Sequence, residues 1–180
     1  TFKLHIKEAS QINSTVDDAD AIPDSLTLNA GQGDVSLGAL AGSVQPLSSL
    51  TITGNDVTLT GIGGAASGVT GNVSVTGTDA ADNSRVTLNG TSYWTTGTQV
   101  YSSGTDQCIV ALSGNGDFRA GGAGFTFDDV YFDHSGWTIT LYTDITCRQF
   151  VFYRGTIDIN GNTIATTAAI FTIISVALVI

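Results

Sequence analysis

Hydrophobic and polar residues alternate along most of this chain in short runs. The commonest unit places Thr or Ser between two apolar residues, as in Leu26-Thr27-Leu28, Leu50-Thr51-Ile52 and Val73-Ser74-Val75. Alternation with period two, β-branched side chains and bounding Gly or Asn are typical of β-strands. No stretch carries apolar residues at convincing helical spacing, so the pattern predicts an all-β protein.

The apolar units recur at nearly constant distances. Leu26 and Leu50 are 24 residues apart, Leu50 and Val73 are 23 apart, and Val35 and Val57 are 22 apart. A repeat of this length, made only of strands and turns, fits one rung of a parallel β-helix, in which each rung buries its apolar side chains against the next. An antiparallel β-sandwich or jelly roll, with a turn about every 8–12 residues, gives a similar rhythm and remains the alternative.

The length of 180 residues fits one domain with a substantial core. We divide it into an atypical amino-terminal segment (1–24), the strand repeats (25–167) and an apolar terminal strand (168–180). Residues 164–180 carry no charge, but the run is shorter than the roughly 20 apolar residues of a membrane helix. We therefore predict a buried strand there, with a truncated membrane span as the alternative.

The charge balance bears on the partners that the chain can bind. Six Lys and Arg residues stand against 16 Asp and Glu residues, which gives a formal net charge of −10. Binding to nucleic acid needs a basic surface that neutralises phosphates, so nucleic acid is excluded as a partner. An acidic surface suits a soluble extracellular protein, and the sequence predicts no cofactor.

Two stretches resemble a known class of protein. Residues 25–61 contain strands, Gly-rich turns and the phrase "PLSSLTI", and "FVFYRGTIDINGNTIATT" (150–167) alternates on both sides of an Asn160-Gly161 turn. These stretches resemble the strand repeats of large secreted bacterial surface proteins of the filamentous-haemagglutinin and autotransporter-adhesin kind. The resemblance implies a right-handed parallel β-helix that is a non-catalytic subunit or segment of a self-assembling surface fibre, sheath or adhesin, with surface glycans as a further partner.

An acidic cluster raises an alternative function. The stretch "FDDVYFDHSG" and the arginines around it supply these candidates: Asp128, Asp129, Asp133, His134, Arg119, Arg148 and Arg154. Polysaccharide-cleaving β-helix enzymes use paired carboxylates with basic residues nearby. Alternation along a strand puts Asp128 and Asp129 on opposite faces, so we interpret these residues as solvent-facing strand and corner residues. A polysaccharide hydrolase or lyase, or a carbohydrate-binding module, remains the alternative.

The amino-terminal segment contains the candidate ligands for a structural calcium ion. Asp17, Asp18, Asp20 and Asp24 are close in sequence, and calcium binds several converging carboxylate oxygens. No twelve-residue EF-hand loop is present. Calcium is therefore a weak hypothesis, and His5, in an alternating stretch of the same segment, is expected to face solvent.

Two kinds of covalent modification are open to the chain. Cys108 and Cys147 permit one disulfide that would close a 40-residue loop, but both cysteines can equally be free and buried. Three N-glycosylation sequons begin at Asn13, Asn72 and Asn89, a number that chance explains in a chain rich in Ser and Thr.

The last eleven residues, 170–180, are β-branched and uncharged, and they contain neither Pro nor Gly. A segment of this kind aggregates when its edge is exposed, which predicts that a neighbouring subunit covers it. The equally weighted alternative is the final rung of its own chain. The side chains expected to make the link are Ile170, Phe171, Ile173, Ile174, Val176, Leu178, Val179 and Ile180.

Overall fold

The computed structural model describes residues 25–38, 46–64, 67–78, 84–103, 109–112, 116–119, 124–168, 171–173 and 177–179. Every regular element within these ranges is a strand, and no helix occurs in them. The strands are β1 (Ser25–Asn29), β2 (Val35–Leu37), β3 (Ser49–Gly54), β4 (Val57–Leu59), β5 (Gly63–Gly64), β6 (Ser67–Gly68), β7 (Val73–Gly77), β8 (Arg85–Leu88), β9 (Ser92–Trp94), β10 (Gln99–Ser103), β11 (Ile109–Leu112), β12 (Gly116–Arg119), β13 (Phe125–Leu141), β14 (Ile145–Asp158), β15 (Ile164–Thr166), β16 (Phe171–Ile173) and β17 (Ala177–Val179).

The strands stack in parallel on three faces of a β-solenoid. The first face comprises β1, β3, β7, β10, the starts of β13 and β14, and β15. The second comprises β2, β4, β8, β11, the middles of β13 and β14, and β16, and the third comprises β5, β9, β12, the ends of β13 and β14, and β17. The predicted parallel β-helix is confirmed, and the antiparallel alternative is wrong.

The predicted repeat is the register of the stack. Leu26 pairs with Leu50, and Leu50 pairs with Val73, while Val35 pairs with Val57 on the second face. These are the residues whose spacing of 22–24 suggested one rung per repeat. Alternation within each strand then turns the apolar side chains inward and the Thr and Ser side chains outward.

The glycine-rich stretch after β4 is the exception to parallel pairing. Among the described strands, β5 and β6 form the one antiparallel pair, in which Gly63 is opposite Gly68. Ile62 and Val69, on either side of this hairpin, are fully buried. The stretch therefore fastens a corner of the solenoid to its core.

Short polar side chains join successive rungs at the corners. The Asp34 carboxylate accepts a hydrogen bond from the Asp56 amide, and Asp56 in turn accepts one from the Arg85 amide, at 3.3 and 2.8 Å. At another corner Asn160 and Gly161 both have positive φ, and the Asn162 amide donates to the Ile159 carbonyl oxygen at 2.8 Å. This arrangement is a type I′ turn, which confirms the predicted Asn-Gly turn.

The carboxyl-terminal segment forms two strands where one was predicted. β16 pairs with residues 150–152 of β14, and β17 pairs with residues 156–158 of the same strand. The described part of this segment therefore lies as the last rung of its own chain, while Ile170, Ile174, Val176 and Ile180 lie outside the described residues. Within the described ranges, no helix is long and apolar enough to cross a membrane.

Candidate functional site: a buried carboxylate beside stacked tyrosines

Asp129 lies where β13 passes from the first face of the solenoid to the second. It pairs in register with Ile109 below and Gln149 above. Its inward-facing neighbour is Val130, so alternation places Asp129 on the outer side of the sheet, yet the residue is only 1% exposed. The interpretation of Asp129 as solvent-facing is therefore wrong, because neighbouring side chains on the outer side of the sheet cover it.

Arg148 is the ionic partner of this buried carboxylate. Its Nη2 donates a hydrogen bond to Asp129 Oδ2, and the Arg148 side chain is 36% exposed. Asp129 Oδ1 is buried without a hydrogen-bond partner. Burial raises the pKa of the Asp129 carboxyl; the Arg148 charge opposes this shift and the Asp128 charge adds to it.

Two tyrosines stack beside the ion pair on the outer side of the second face. The Tyr131 and Tyr153 rings are 6.4 Å apart at 23°, and both residues are half-buried. Val151, between two inward-facing phenylalanines, is only 4% exposed although it too belongs to the outer side. Burial, helped by the Asp129 and Tyr153 charges, raises the pKa of Tyr131. The corner is therefore a packed outer cluster, which we call the Asp129 cluster: Asp129, Tyr131, Arg148, Val151 and Tyr153.

The chemistry that the Asp129 cluster can perform follows from what it exposes. Glycoside cleavage needs two carboxyl groups that flank one bond, and both must reach the substrate. Asp129 is buried and ion-paired, while Asp128 is half-buried at the adjacent position. The cluster therefore presents a guanidinium and tyrosine rings to solvent, groups that suit binding better than bond cleavage.

The other acidic and basic candidates are only partly located. Asp133 lies in β13 and pairs in register with Arg154 of β14, at a point where the register shifts. The side chains of Asp133 and His134 lie outside the described residues, as does that of Arg119, whose backbone pairs with Trp94. Arg154 is exposed.

The calcium hypothesis falls on a segment that the structure does not describe. Asp17, Asp18, Asp20 and Asp24, together with His5, lie outside the described residues. Within the described ranges, no group of three or more His, Cys, Asp or Glu residues could hold a metal ion. Calcium binding by residues 17–24 stays a prediction.

Cys147 is a buried free thiol on the inner side of the first face. Burial and the nearby Asp129 charge raise its pKa to about 11, and its Sγ lies 3.8 Å from the Ala165 carbonyl oxygen. Cys108 lies outside the described residues, but its neighbour Ile109 and Gln149 pair with opposite edges of β13. A bridge would have to pass this intervening strand, and the disulfide stays a prediction.

Two of the three sequon asparagines can be placed. Asn72 and Asn89 are exposed, and Asn13 lies outside the described residues. The Asn72 Oδ1 accepts a hydrogen bond from the Thr98 amide of the next rung at 3.0 Å. A glycan on Asn72 would compete with this corner contact, so Asn89 is the better acceptor of the two.

A buried polar network in the core was missed by the sequence analysis. Tyr101 Oη donates to Gln99 Oε1 at 2.8 Å, and Gln99 Nε2 donates to the Tyr93 carbonyl oxygen at 3.0 Å. Tyr93 Oη donates to the Leu59 carbonyl oxygen and accepts from the Gly90 amide. The only sequence signal was Gln99 at a position where the other rungs have an apolar residue.

No protein-family model, curated protein or solved structure matches this chain. The β-solenoid is therefore established by the structure itself. The resemblance to the repeats of secreted bacterial surface proteins stays a prediction, and the function has to be argued from geometry.

Proposed function

We propose that this chain is a non-catalytic structural segment of an extracellular fibre, sheath or adhesin, and that its solenoid continues end to end into a second copy. The partner is the protein itself, with surface glycans as a further partner of the assembled fibre. One observation carries the proposal: inward-facing apolar side chains that are fully buried in the middle of the stack are partly exposed in its first and last strands.

The first rung shows this at the β1 end. Leu26 and Leu28 face inward from β1 and are half-buried, whereas their register partners in β3, Leu50 and Ile52, are fully buried. Ile164 of β15 is half-buried at the other end, whereas its partner Ile145 is 1% exposed. Apolar surface left at an end is removed from water when another rung is placed on it.

The two ends belong to the same columns of the stack. Leu26 begins the inward column of the first face, and Ile164 ends it after Leu50, Val73, Phe125 and Ile145. Among the described residues, β1 is paired along one edge by β3, and β15 along one edge by β14. A second copy placed with its β1 against β15 would continue the parallel ladder in register, with Leu26 beside Ile164.

The carboxyl-terminal strands would take part in the same junction. β16 and β17 lie against β14 on the second and third faces, so each has a second edge directed away from the stack. The predicted link through residues 170–180 then becomes an addition of these edges to the first rung of the next copy. The segment would belong to its own core and to the junction at once.

A charge placed at the β1 end tests the proposal. Leu26→Asp puts a carboxylate at the junction, and Thr27→Asp puts the same charge on the outward side of the same strand. We expect wild-type protein and Thr27→Asp to form filaments of solenoid width in electron micrographs, and Leu26→Asp to remain monomeric in sedimentation velocity. Circular dichroism shows whether both variants fold.

Deletion of residues 170–180 separates the two roles of the terminal segment. A folded monomer supports a linking role, whereas loss of the fold makes the segment part of the core alone. Wild-type protein that stays monodisperse at high concentration, with no filaments, would overturn end-to-end assembly.

A carbohydrate-binding or carbohydrate-cleaving protein is the second candidate, and the Asp129 cluster favours it. Half-buried tyrosine rings beside an exposed guanidinium can contact a sugar. Glycan turnover that Asp129→Asn abolishes would assign catalysis, and glycan binding that Tyr153→Ala alone weakens would assign a binding module.

A further inference from the structure

The outward side of the first face is a regular array of uncharged side chains. It consists of the residues of β1, β3, β7 and β10 that alternate with the buried ones, and we call it the threonine face: Ser25, Thr27, Asn29, Ser49, Thr51, Thr53, Ser74, Thr76, Val100 and Ser102. All of them are exposed or half-buried. None is charged, in a chain with a net charge of −10.

Strand pairing fixes these side chains on a two-dimensional grid. β1 pairs with β3, β3 with β7, and β7 with β10, each over five residues without a bulge. Neighbouring rows are therefore about 4.8 Å apart, and outward side chains within a row are about 6.7 Å apart. One column runs through Thr27, Thr51 and Ser74, and the next through Thr53, Thr76 and Ser102.

The rows are held at their ends by contacts between rungs. The Thr78 Oγ1 donates to the Gly31 carbonyl oxygen at 2.9 Å, and the Thr78 amide donates to the Gly54 carbonyl oxygen at 2.8 Å. Thr is also restricted at χ1, which limits the positions that its methyl and hydroxyl groups can take. The face is therefore ordered at the level of single side-chain atoms.

The chemistry of the threonine face selects among partners. Nucleic acid requires cationic side chains, and the central residues of protein interfaces are enriched in aromatic residues and Arg, neither of which the face contains. Sugar rings are commonly held against aromatic rings, and the outward side chains of these four strands include none. The face offers rows of methyl and hydroxyl groups, which suit a partner that is itself a lattice of hydrogen-bonding oxygen atoms.

We propose that the threonine face binds ice. The oxygen atoms of an ice surface repeat in two dimensions over distances of the same order as the spacing of the face. Hydroxyl groups can take the place of lattice waters, and the methyl groups between them order the remaining water. The inference is independent of end-to-end assembly, since the face is a side of the solenoid and the junction is at its ends.

The face also has a defined limit. Thr126 and Thr146 continue the first column into β13 and β14, where both residues are exposed. The second column instead reaches Asp128 and Arg148, whose charges hold their own hydration shells. The ice-binding area is therefore confined to the rungs before residue 104.

The test measures the growth of ice in the presence of the purified full chain. We expect wild-type protein to inhibit recrystallisation in a frozen sucrose film and to shape single crystals in a nanolitre osmometer. Thr51→Tyr places a bulky ring in the middle of the face and should abolish both effects. Thr58→Tyr, on the outward side of β4 in the second face, is the matched control and should retain them.

The outcomes divide cleanly when thermal melts show that both variants are folded. Wild-type protein that affects ice no more than albumin of equal mass overturns the proposal, and so does Thr51→Tyr with wild-type activity. Retention on microcrystalline cellulose or chitin without any effect on ice would assign the face to a polysaccharide and overturn the proposal as well.

Discussion

Residues 25–88 and residues 92–158 stack on one another in the same solenoid, but the side chains that fill the two regions differ in kind. Every buried hydrophobic residue described before residue 90 is Leu, Ile or Val. From Tyr93 onwards the core includes Tyr101, Phe118, Phe125, Phe127, Phe132, Phe150 and Phe152. We call the two regions the aliphatic rungs and the aromatic rungs.

The aromatic rungs are held by stacking between successive rings. Tyr93 stacks on Phe118 at 5.0 Å and 12°, and Phe132 stacks on Phe152 at 5.0 Å and 6°. Parallel in-register pairing places identical or similar side chains directly above one another, which brings flat rings to this distance. Each stacked pair contributes about 0.5–1.5 kcal/mol beyond the area it buries.

The aliphatic rungs depend more on their corners. Their strands are short, and Asp34, Asp56 and Asn72 join one rung to the next with side-chain hydrogen bonds to backbone amides. In the aromatic rungs β13 and β14 pass through the corners without a break, and the rung shortens to the 20 residues between Phe125 and Ile145. The comparison teaches that large side chains in the core and close contacts at the corners are two ways to fasten the same stack.

The largest effect is expected at a corner of the aliphatic rungs. A Cβ added at Gly90 would lie 1.5 Å from the Thr60 carbonyl oxygen of the preceding rung, so Gly90→Ala must push the rungs apart. We expect it to lower the free energy of unfolding by about 3 kcal/mol or more, measured by urea denaturation.

The matched control is Gly161→Ala in the aromatic half. A Cβ at Gly161 meets nothing within 4 Å, and the only cost is its left-handed φ of 76°. About 1–2 kcal/mol is expected there. Equal losses at the two glycines would show that backbone contact between the rungs is not what stabilises the aliphatic region.

The second effect concerns the size of the side chains within one column. Leu59 and Phe132 face inward in the same column of the second face, through Leu88 and Leu112. Phe132→Leu should cost about 1–3 kcal/mol, because stacking on Phe152 is lost and volume is left unfilled. Leu59→Phe should cost about 1–3 kcal/mol through overpacking.

Circular dichroism during urea denaturation measures both changes. Thr87→Ala, on the outward side of β8, is the control and should stay within about 0.5 kcal/mol of wild type. If Leu59→Phe raised the free energy of unfolding, added apolar area would outweigh fit, and the division into aliphatic and aromatic rungs would have no energetic basis.

The aliphatic rungs were also the more predictable half. Val, Leu and Thr alternate there with corner residues at a constant interval, so the register of Leu26, Leu50 and Val73 could be read from spacing alone. Later the interval changes from the 26 residues between Gln99 and Phe125 to 20 and then 19, and a changing interval hides the repeat. Strands that continue through corners also remove the Gly and Asn residues that mark rung ends.

The Asp129 cluster was beyond the sequence for a different reason. Alternation gives the side of a sheet on which a residue lies, but it does not say whether that side is covered. Asp129 is outward and buried because side chains distant in sequence, Arg148 among them, lie over it. Its burial is a property of the packed surface, which the local pattern does not encode.

The smallest effect is the dependence of stability on pH through Asp129. Burial raises the pKa of this carboxyl above its ordinary value of 3.8, although Arg148 opposes the shift. The folded protein therefore binds the Asp129 proton more tightly than the unfolded chain does. The resulting stabilisation is complete below pH 3.8 and is lost as the pH rises through the folded-state pKa.

Asp129→Asn isolates this contribution because the amide does not titrate. We expect the free energy of unfolding of wild type, minus that of Asp129→Asn, to fall as the pH rises from below 3.8 and then to become constant. Urea denaturation of both proteins across this range measures it, and Asp128→Asn controls for the change in net charge at the half-buried neighbour. A difference that rose with pH would mean that the Arg148 ion pair outweighs burial, in which case Asp129 and Arg148 would fasten this corner of the aromatic rungs as Asp34 and Asp56 fasten the aliphatic ones.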